Sequence, residues 1–505
     1  MLKKFVKDIA MYSPSKFLPA LTAFITTPIL TRLFPPAEYG YWAMATSVSA
    51  FLAALAVDGF GSAAIRFFPA YKAKSTLYVF FGTLGVSVGT VITVVAGVSF
   101  LTLFLLKGYL PPALYPLWPL VILIFIAQSI FSVFIAVMRA QGRSGSFTSF
   151  QLFTNYGGLG IGLLLVVFLG FRVEGLLWGN FLALVLTLPI LIFLVTKGIG
   201  IHPQYFRLMD ALQIWHYAWP LALGNVAMWG LRVSDLFIIR VFRPERDVGL
   251  YSVSYNLSSR SIEILVALFL LSVSPLVYRT WESEGREATE KTLAMVTRVY
   301  LIVCLPAAVG LSILAFPFIS LLTSPDYYEG SKIVGFVVFS SFAWGLANIA
   351  MMGIAIKKKA GRLGANTIIA ASAHVILQLL FVPRFGYMAS AISTLIGYTV
   401  LLVLHALASR PHINWRFPFG TLRNVMVASA VMGLVAYGIY GLSGDRSKGS
   451  PAYLFLSIVL AVPTYVICLW RLGEAKEEEK RAISQFWYRL VGKEAGTKSG
   501  TDNKS

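Results

Sequence analysis

Charged side chains occur inside strongly apolar stretches of this chain, at spacings that would let them act together. Arg232 and Asp235 are three residues apart in one apolar run, and Arg260 and Glu263 have the same spacing in the next. Residues three apart share a face of a helix, so each arginine can pair with its own acid. The same residues could instead bind an anion, because the planar guanidinium fork matches phosphate and carboxylate geometry. The sequence leaves both interpretations open.

Other polar residues in or beside apolar runs extend this set of candidates. Asp58 lies in an early run that Arg66 ends, and Arg139 and Arg143 follow a later one. Snorkelling at the membrane boundary is the plain alternative for Arg66, and ordinary loop charge is the alternative for Arg139 and Arg143. Side-chain amides can bond one helix to another or contact a sugar, and they occur at Asn155, Asn180, Asn225, Asn256 and Asn348.

These residues divide into two predicted groups. The predicted substrate-binding residues are Arg66, Arg139, Arg143, Arg232, Arg260, Asn225 and Asn256. The predicted ion-pair or coupling residues are Asp58, Asp235 and Glu263. His374 lies in another apolar run, and we interpret it as a hydrogen-bonded packing residue rather than a proton site. The excess of arginine over acid favours an anionic ligand.

The elements that must position these residues are membrane-spanning helices. The chain has 505 residues, of which 57% are hydrophobic and 13% charged, against about 25% charged in soluble domains. Its apolar runs are long enough to cross about 30 Å of hydrocarbon, and backbone in lipid must satisfy its own hydrogen bonds. We predict an all-α polytopic membrane protein with about 14 transmembrane helices, at 10–31, 41–63, 77–105, 115–138, 148–169, 173–196, 215–239, 249–273, 294–322, 332–356, 363–382, 386–408, 422–442 and 451–471.

The distribution of positive charge predicts the orientation in the membrane. With the N-terminus inside, the inner connections up to Arg423 hold 22 Lys and Arg residues and the outer connections hold 10. Basic connections stay on the cytoplasmic side, so both termini are predicted to be cytoplasmic in a multi-pass protein of the cell inner (plasma) membrane. The net charge of +20 is explained by these loops, and no nucleic-acid partner is predicted. The basic N-terminus precedes a first helix that we expect to remain uncleaved.

A repeated hairpin pattern predicts two similar halves. The segment ILTRLFPPAEYGYWAMATSV resembles the stretch from Trp229 to Arg260. If one residue is inserted, the aligned pairs are Arg32 with Arg240, Phe34 with Phe242, Pro36 with Pro244, Glu38 with Asp247 and Gly40 with Gly249. We predict an N-terminal six-helix lobe at 1–200 and a parallel C-terminal six-helix lobe at 210–410, an arrangement typical of transporters. Two extra helices follow at 420–472.

Two further segments have predicted structures, and the sequence contains no recognisable catalytic motif. Residues 279–291 are expected to extend a helix into the cytoplasm, and 473–505 to form a cytoplasmic amphipathic helix followed by a disordered tail. Cys304 and Cys468 lie in apolar runs, so no disulfide framework or metal site is predicted. No catalytic motif or cofactor-binding motif is present, and no cofactor is expected.

The segments ILTRLFPPAEYGYWAMATSVSAF, GFGSAAIRFF and SDLFIIRVFRPERDVGLYSVSYNLSS resemble the polysaccharide-exporter (Wzx-type) flippases of the multidrug/oligosaccharidyl-lipid/polysaccharide superfamily. The resemblance implies export of an undecaprenyl-diphosphate-linked oligosaccharide (an O-antigen, capsule or exopolysaccharide unit) from the cytoplasmic to the outer leaflet by alternating access, through a cationic cleft. It carries over Arg66 and Asp235 as matching positions. Arg32 and Arg240 match at the outer rim, where they serve either the hairpin or the substrate.

Several other functions remain open at this point. The nearest alternatives within the superfamily are a lipid II flippase for peptidoglycan and a cation-coupled multidrug exporter. An arginine-rich interior argues against the exporter, because cationic drugs favour acidic sites. A glycan polymerase or ligase would be an enzyme with a large outer loop, and the outer connections here are short. The predicted partners are the polyprenyl-diphosphate-linked glycan, membrane lipid, a glycan polymerase and glycosyltransferases.

Overall fold

A computed structural model describes residues 22–105, 115–357, 359–442 and 451–474, and this part of the chain is helical without strands. The first helix, α1, occupies 22–33. The others are α2 (Pro36–Ala73), α3 (Leu77–Leu105), α4 (Trp118–Ala140), α5 (Ser144–Leu152), α6 (Gly158–Leu169), α7 (Val173–Thr196), α8 (Leu208–Phe242), α9 (Glu245–Ile313), α10 (Ala315–Leu322), α11 (Val334–Ala350), α12 (Met352–Ile356), α13 (Ala360–Phe385), α14 (Tyr387–Ser409), α15 (Phe419–Gly441) and α16 (Pro451–Arg471). A π-helical turn (Phe153–Gly157) joins α5 to α6, and 3-10 turns lie at Pro203–Tyr205 and Pro325–Ile333.

The described residues contain 12 helical segments long and apolar enough to cross a membrane. One of them, the 69-residue α9, contains the predicted span 249–273 and most of the predicted span 294–322. Helix α1 is the second half of the predicted span 10–31, whose first half lies outside the described residues. The prediction of an all-α polytopic membrane protein is therefore confirmed. The predicted tail segment beyond residue 474 also lies outside the described residues.

The segment 279–291 is helical within α9, as predicted, and its position on the cytoplasmic side stays a prediction. The segment is helical except at Gly285, whose φ of 78° and ψ of −162° interrupt the helix. Glycine adopts this positive φ without a steric penalty, so the chain changes direction there. The predicted span 294–322 is also divided, because α9 ends at Ile313 and α10 begins after Leu314.

The α1–α2 and α8–α9 turns have the same length, which corrects the predicted alignment. Pro35 precedes α2 with φ −67° and ψ 160°, and Pro244 precedes α9 with φ −65° and ψ 160°. Pro35, rather than Pro36, is thus the counterpart of Pro244. The two turns correspond at a constant offset of 209 residues, and the inserted residue is wrong. The pairing of Gly40 with Gly249 keeps this offset and stands.

We call the end of the molecule that holds these two turns the hairpin end, and the other the opposite end. At the hairpin end the Tyr327 hydroxyl donates to the Phe34 carbonyl at 2.9 Å, and Ser324 donates to the Thr31 carbonyl at 2.7 Å. Helix α1 is thereby attached to the 3-10 turn that follows α10. Arg66 and Arg143 lie at the opposite end, near the last turns of α2 and the start of α5.

Three large groups of buried apolar side chains stabilise the helices. One is built from residues between Ala45 and Ala218. Another joins residues 30–44, Val173 and Leu176 to many residues between Leu236 and Ile413. The third is built from buried residues of α9, α15 and α16, among them Leu305, Met432 and Tyr465. The division into two six-helix lobes plus two helices stays a prediction.

Candidate functional site

Asp235 is a fully buried carboxylate at the meeting point of four helices. It lies on α8 and accepts hydrogen bonds from the Tyr251 hydroxyl of α9 at 2.7 Å and from Gln378 Nε2 of α13 at 2.6 Å. Thr394 of α14 donates a longer bond at 3.4 Å, and His374 Nε2 lies 3.4 Å from the carboxylate. Neutral donors therefore satisfy most of this acid, as a buried charge in a membrane protein requires.

The pairing of Arg232 with Asp235, one of the two interpretations that the sequence left open, is not observed. No carboxylate oxygen in the described part of the chain lies within 4 Å of the Arg232 side chain, and the partners of Asp235 come from other helices. Sequence reasoning missed Gln378 and Thr394 and treated His374 as packing only. One signal was present: His374 and Gln378 are four residues apart on α13, so two polar residues share one face of an apolar span.

Arg232 instead packs its guanidinium on an aromatic ring. Its Cζ atom lies 5.2 Å from the centre of the Trp344 ring, and the residue is exposed. A cation–π contact occupies the flat face of the guanidinium and leaves its edge for hydrogen bonds, one of which goes to the Tyr398 side chain. Because arginine has five N–H groups, further donors remain for a ligand. Arg232 therefore offers an anion-binding group within a candidate membrane span.

Arg260 and Glu263 do form the local pair that their spacing allows. The Arg260 Nη1 atom lies 3.4 Å from Glu263 Oε2, and the two side chains are 46% and 25% exposed. A single long contact uses only part of the donor capacity of arginine, which has five N–H groups. Arg260 is therefore paired with Glu263 on its own helix, and its substrate-binding role stays a prediction.

The remaining arginine candidates lie at the opposite end and contact aromatic rings or backbone. The guanidinium of Arg66 lies 5.3 Å from the ring of Tyr217 on α8, and that of Arg139 lies 5.8 Å from Phe147. Arg143 donates to the Leu194 carbonyl at 2.9 Å and so connects the start of α5 to the end of α7. Arg66 and Arg139 are exposed, whereas Arg143 is half-buried.

These cations do not converge on one site. Arg232 is 10 residues from the hairpin end of α8, Arg260 is 15 residues into α9, and Arg66 is 30 residues into α2. At 1.5 Å per residue, these positions are about 15, 22 and 45 Å from the hairpin end along their helices. The arginines are thus distributed along the helices as a series, in which Glu263, the ion-pair partner of Arg260, also interacts electrostatically with Arg232.

The other candidates differ in their surroundings. Asp58 is half-buried, Asn256 is half-buried and Asn225 is exposed. Their side chains have no hydrogen-bond or ion-pair partner among the described residues. Arg32 is exposed, whereas Arg240 pairs with Glu245 at 2.5 Å across the α8–α9 turn. Arg240 therefore stabilises the hairpin. Within the described residues no group of three or more His, Cys, Asp or Glu side chains could hold a metal ion.

The fold and these residues define a multi-pass helical membrane protein with arginines and one buried acid inside its spans. A family model described as polysaccharide biosynthesis protein matches residues 29–332, which is more than half of the chain, and the chain belongs to that family. The family resemblance predicted from the hairpin segments is confirmed. A curated relative, the probable low-salt glycan biosynthesis flippase Agl15 of Haloferax volcanii, is 19% identical over 68% of this chain and 71% of its own length.

Solved structures show the same fold. A lipid II flippase, MurJ, in an inward closed conformation superposes with a TM-score of 0.68 at 16% identity, over 94% of this chain and 100% of its own. An inward-facing multidrug resistance transporter of the MATE family has a TM-score of 0.62 at 13% identity, over 80% of this chain and 97% of its own. At such identities the likeness concerns the fold alone.

Proposed function

We propose that the protein is a transporter that moves an undecaprenyl-diphosphate-linked oligosaccharide from the cytoplasmic to the outer leaflet by alternating access. The observation that carries this proposal is Arg232, an exposed guanidinium in a spanning helix with no carboxylate of the described residues within 4 Å. Glu263 interacts with this guanidinium only at longer range. A cation at membrane depth without a close counter-ion is costly and marks a functional position by default. A diphosphate supplies the oxygens that the arginine fork binds.

The distribution of the arginines fits a route for the head group. In this proposal the opposite end faces the cytoplasm, as the basic connections predict. Arg66 then meets the diphosphate first, and Arg260 and Arg232 receive it nearer the hairpin end. The prenyl chain stays in lipid between the two predicted lobes, so only the diphosphate and glycan need a polar path. Membership of the polysaccharide biosynthesis family and similarity to a probable glycan biosynthesis flippase support this substrate class.

Asp235 is proposed as the coupling group. Its hydrogen bonds connect α8, α9, α13 and α14, so a change in its charge alters the packing of four helices together. A packed core with discrete arrangements can convert such a local change into a rigid-body movement. Asp58 and Glu263 stay secondary candidates, since Glu263 is already paired with Arg260. The chain is proposed to act as a transporter without catalytic residues.

The substrate class can be tested directly with purified protein in vesicles. Vesicles would contain an undecaprenyl-diphosphate oligosaccharide, lipid II or no labelled lipid, and a glycan-binding probe added outside would report translocation. We expect movement of the oligosaccharide lipid faster than movement of lipid II. Faster lipid II movement would support the peptidoglycan alternative, and export of a cationic dye without either lipid would support the multidrug alternative.

A further inference from the structure

A polar cavity of about 230 Å³ lies among α1, α2, α4, α5–α6 and α7, apart from the arginine series. It is lined by Thr22, Thr26, Trp42, Gln128, Phe131, Gln151, Thr154, Asn155, Gly158, Leu159, Leu176, Asn180 and Leu184. The volume is several times the roughly 30 Å³ that a water molecule occupies in the liquid. This cavity can therefore hold a group larger than one water.

None of the lining residues is ionisable at neutral pH, and four of them are amides. One, Gln128, donates to Ser132 at 3.5 Å. The side chains of Gln151, Asn155 and Asn180 have no hydrogen-bond partner within the described part of the chain. Each amide offers two N–H donors and an acceptor oxygen. In a membrane-spanning segment an unsatisfied polar group costs several kcal/mol, so these groups require water or a ligand.

The backbone directs these amides towards one another. Gln151, Thr154, Asn155 and Gly158 share a helical face that runs across the π-helical turn Phe153–Gly157. Such turns are uncommon and recur at functional sites. Gly158 is the first residue of α6, and Asn180 lies on the facing helix α7. A Cβ added at Gly158 would lie 3.2 Å from the Cα atom of Asn180. The glycine thus permits the close crossing of α6 and α7 that brings Asn180 to the cavity.

The chemistry of the lining selects the kind of ligand. The lining has no cationic side chain to bind a diphosphate and no carboxylate to bind a metal ion. A second cavity of about 520 Å³ between α9 and α15–α16 shows the contrast, because its lining is largely aliphatic. Amides and threonine hydroxyls donate and accept hydrogen bonds at once, which matches the paired capacity of sugar hydroxyls. Trp42, half-buried at the same cavity, offers an aromatic surface for the C–H face of a sugar ring.

We propose that this cavity binds a neutral, hydroxyl-rich sugar unit of the transported glycan, separately from the arginines that meet the diphosphate. That the ligand belongs to the transported glycan rests on the proposed function. That it is a neutral sugar rests on the chemistry of the lining alone. Glycan and diphosphate would then be recognised by different residues of the chain.

Saturation-transfer NMR with the full chain in lipid nanodiscs tests this binding. The probes are the methyl glycosides of glucose, galactose, N-acetylglucosamine and rhamnose, which carry neither phosphate nor lipid. Wild-type protein is expected to transfer saturation to at least one of them. The variant Gln151→Met/Asn155→Leu keeps similar side-chain volume and removes two of the four lining amides, and we expect at least a tenfold loss of signal. Thr26→Val is a milder second variant. Its matched control is Thr399→Val, a change at an exposed threonine of α14.

The outcomes separate this inference from the proposed function. Signal that is lost in the cavity variants and kept in Arg232→Ala and Thr399→Val supports a sugar site here. Absence of signal in folded wild type, or undiminished signal in folded Gln151→Met/Asn155→Leu and Thr26→Val, overturns it. Vesicle translocation is measured on the same preparations. A wild type that binds sugars at this cavity yet moves no lipid-linked glycan contradicts the proposed function and leaves the sugar site standing.

Discussion

Gly40 and Gly249 contact each other's helices reciprocally. A Cβ added at Gly40 would lie 2.7 Å from the carbonyl oxygen of Glu245, and one added at Gly249 would overlap the carbonyl oxygen of Pro36. Gly249 corresponds to Gly40 and Glu245 to Pro36 at the same offset of 209 residues. Equivalent atoms of the two hairpins therefore meet each other, as a local two-fold relation requires, and neither position has room for a side chain.

Substituting either glycine should weaken this crossing. Gly249→Ala forces backbone apart, and overpacking of this kind costs about 1–3 kcal/mol. We expect a lower unfolding temperature in detergent for Gly249→Ala and Gly40→Ala. Gly89→Ala on α3 is the matched control, because nothing lies within 4 Å of its added Cβ and alanine favours helix. Equal unfolding temperatures in all three variants would contradict the close crossing.

The hydrogen bonds of Asp235 predict that two substitutions there differ in their effects on stability and on ion-coupled transport. Asp235→Ala removes the acceptor that the Tyr251 hydroxyl meets at 2.7 Å and the Gln378 amide at 2.6 Å. A buried polar group that loses its partner costs about 1–3 kcal/mol. Asp235→Asn retains one acceptor oxygen for the Tyr251 hydroxyl, and Gln378 Oε1, which has no partner among the described residues, can accept from the new amide after the Gln378 side chain turns over. We therefore expect a fold close to wild type and transport that no longer responds to an imposed ion gradient. Gradient-dependent transport in Asp235→Asn would exclude this residue as the coupling group. The unfolding temperatures of the two variants give the structural comparison.

Glu474 predicts a pH dependence outside the spans. Its carboxylate accepts from Thr421 at 2.6 Å, from Arg298 at 2.9 Å and from Asn424 at 3.0 Å. Burial alone would raise the pKa of Glu474, but these hydrogen bonds outweigh it and hold the pKa below its ordinary value of 4.5. A lowered pKa in the folded state means that the stabilisation is present above about pH 4.5 and is lost as the pH falls through the folded value.

The measurement for Glu474 is the difference in unfolding temperature between wild type and Glu474→Gln across pH. We expect wild type to be the more stable at pH 7 and the difference to shrink on acidification below 4.5. A difference that is constant from pH 7 to pH 3 would show that the charge of Glu474 contributes nothing. Glu287→Gln is a useful control, since its partner Lys291 is exposed and local.

Local relations were predictable from the sequence, and long-range ones were not. The Arg260–Glu263 contact follows from a three-residue spacing on one helix, and the spans follow from the length of apolar runs. The partners of Asp235 are distant, since Gln378 is 143 residues away along the chain. A spacing rule can therefore offer only the nearer Arg232 as a partner of Asp235. Only the packing of α8 against α13 decides between them.

The hairpin alignment failed for a related reason. Pro35 and Pro36 are adjacent, and the sequence offers no basis for choosing which one corresponds to Pro244. Their backbone angles decide it, because Pro35 is the extended residue before the helix and Pro36 is the first helical residue. The polar cavity was also beyond sequence reasoning: Asn155 and Asn180 were recognised as candidate amides, but their convergence depends on the α6–α7 crossing.

The most direct test of the account is the rate at which Arg232→Ala moves an undecaprenyl-diphosphate oligosaccharide across vesicles. A hydrogen bond to a charged group contributes about 1.5–3 kcal/mol, so we expect a fall of roughly ten- to one-hundred-fold, with Arg232→Lys intermediate. Arg423→Ala, an exposed arginine at the start of α15, is the control and should retain the wild-type rate. A wild-type rate in folded Arg232→Ala would contradict the claim that this guanidinium binds the diphosphate.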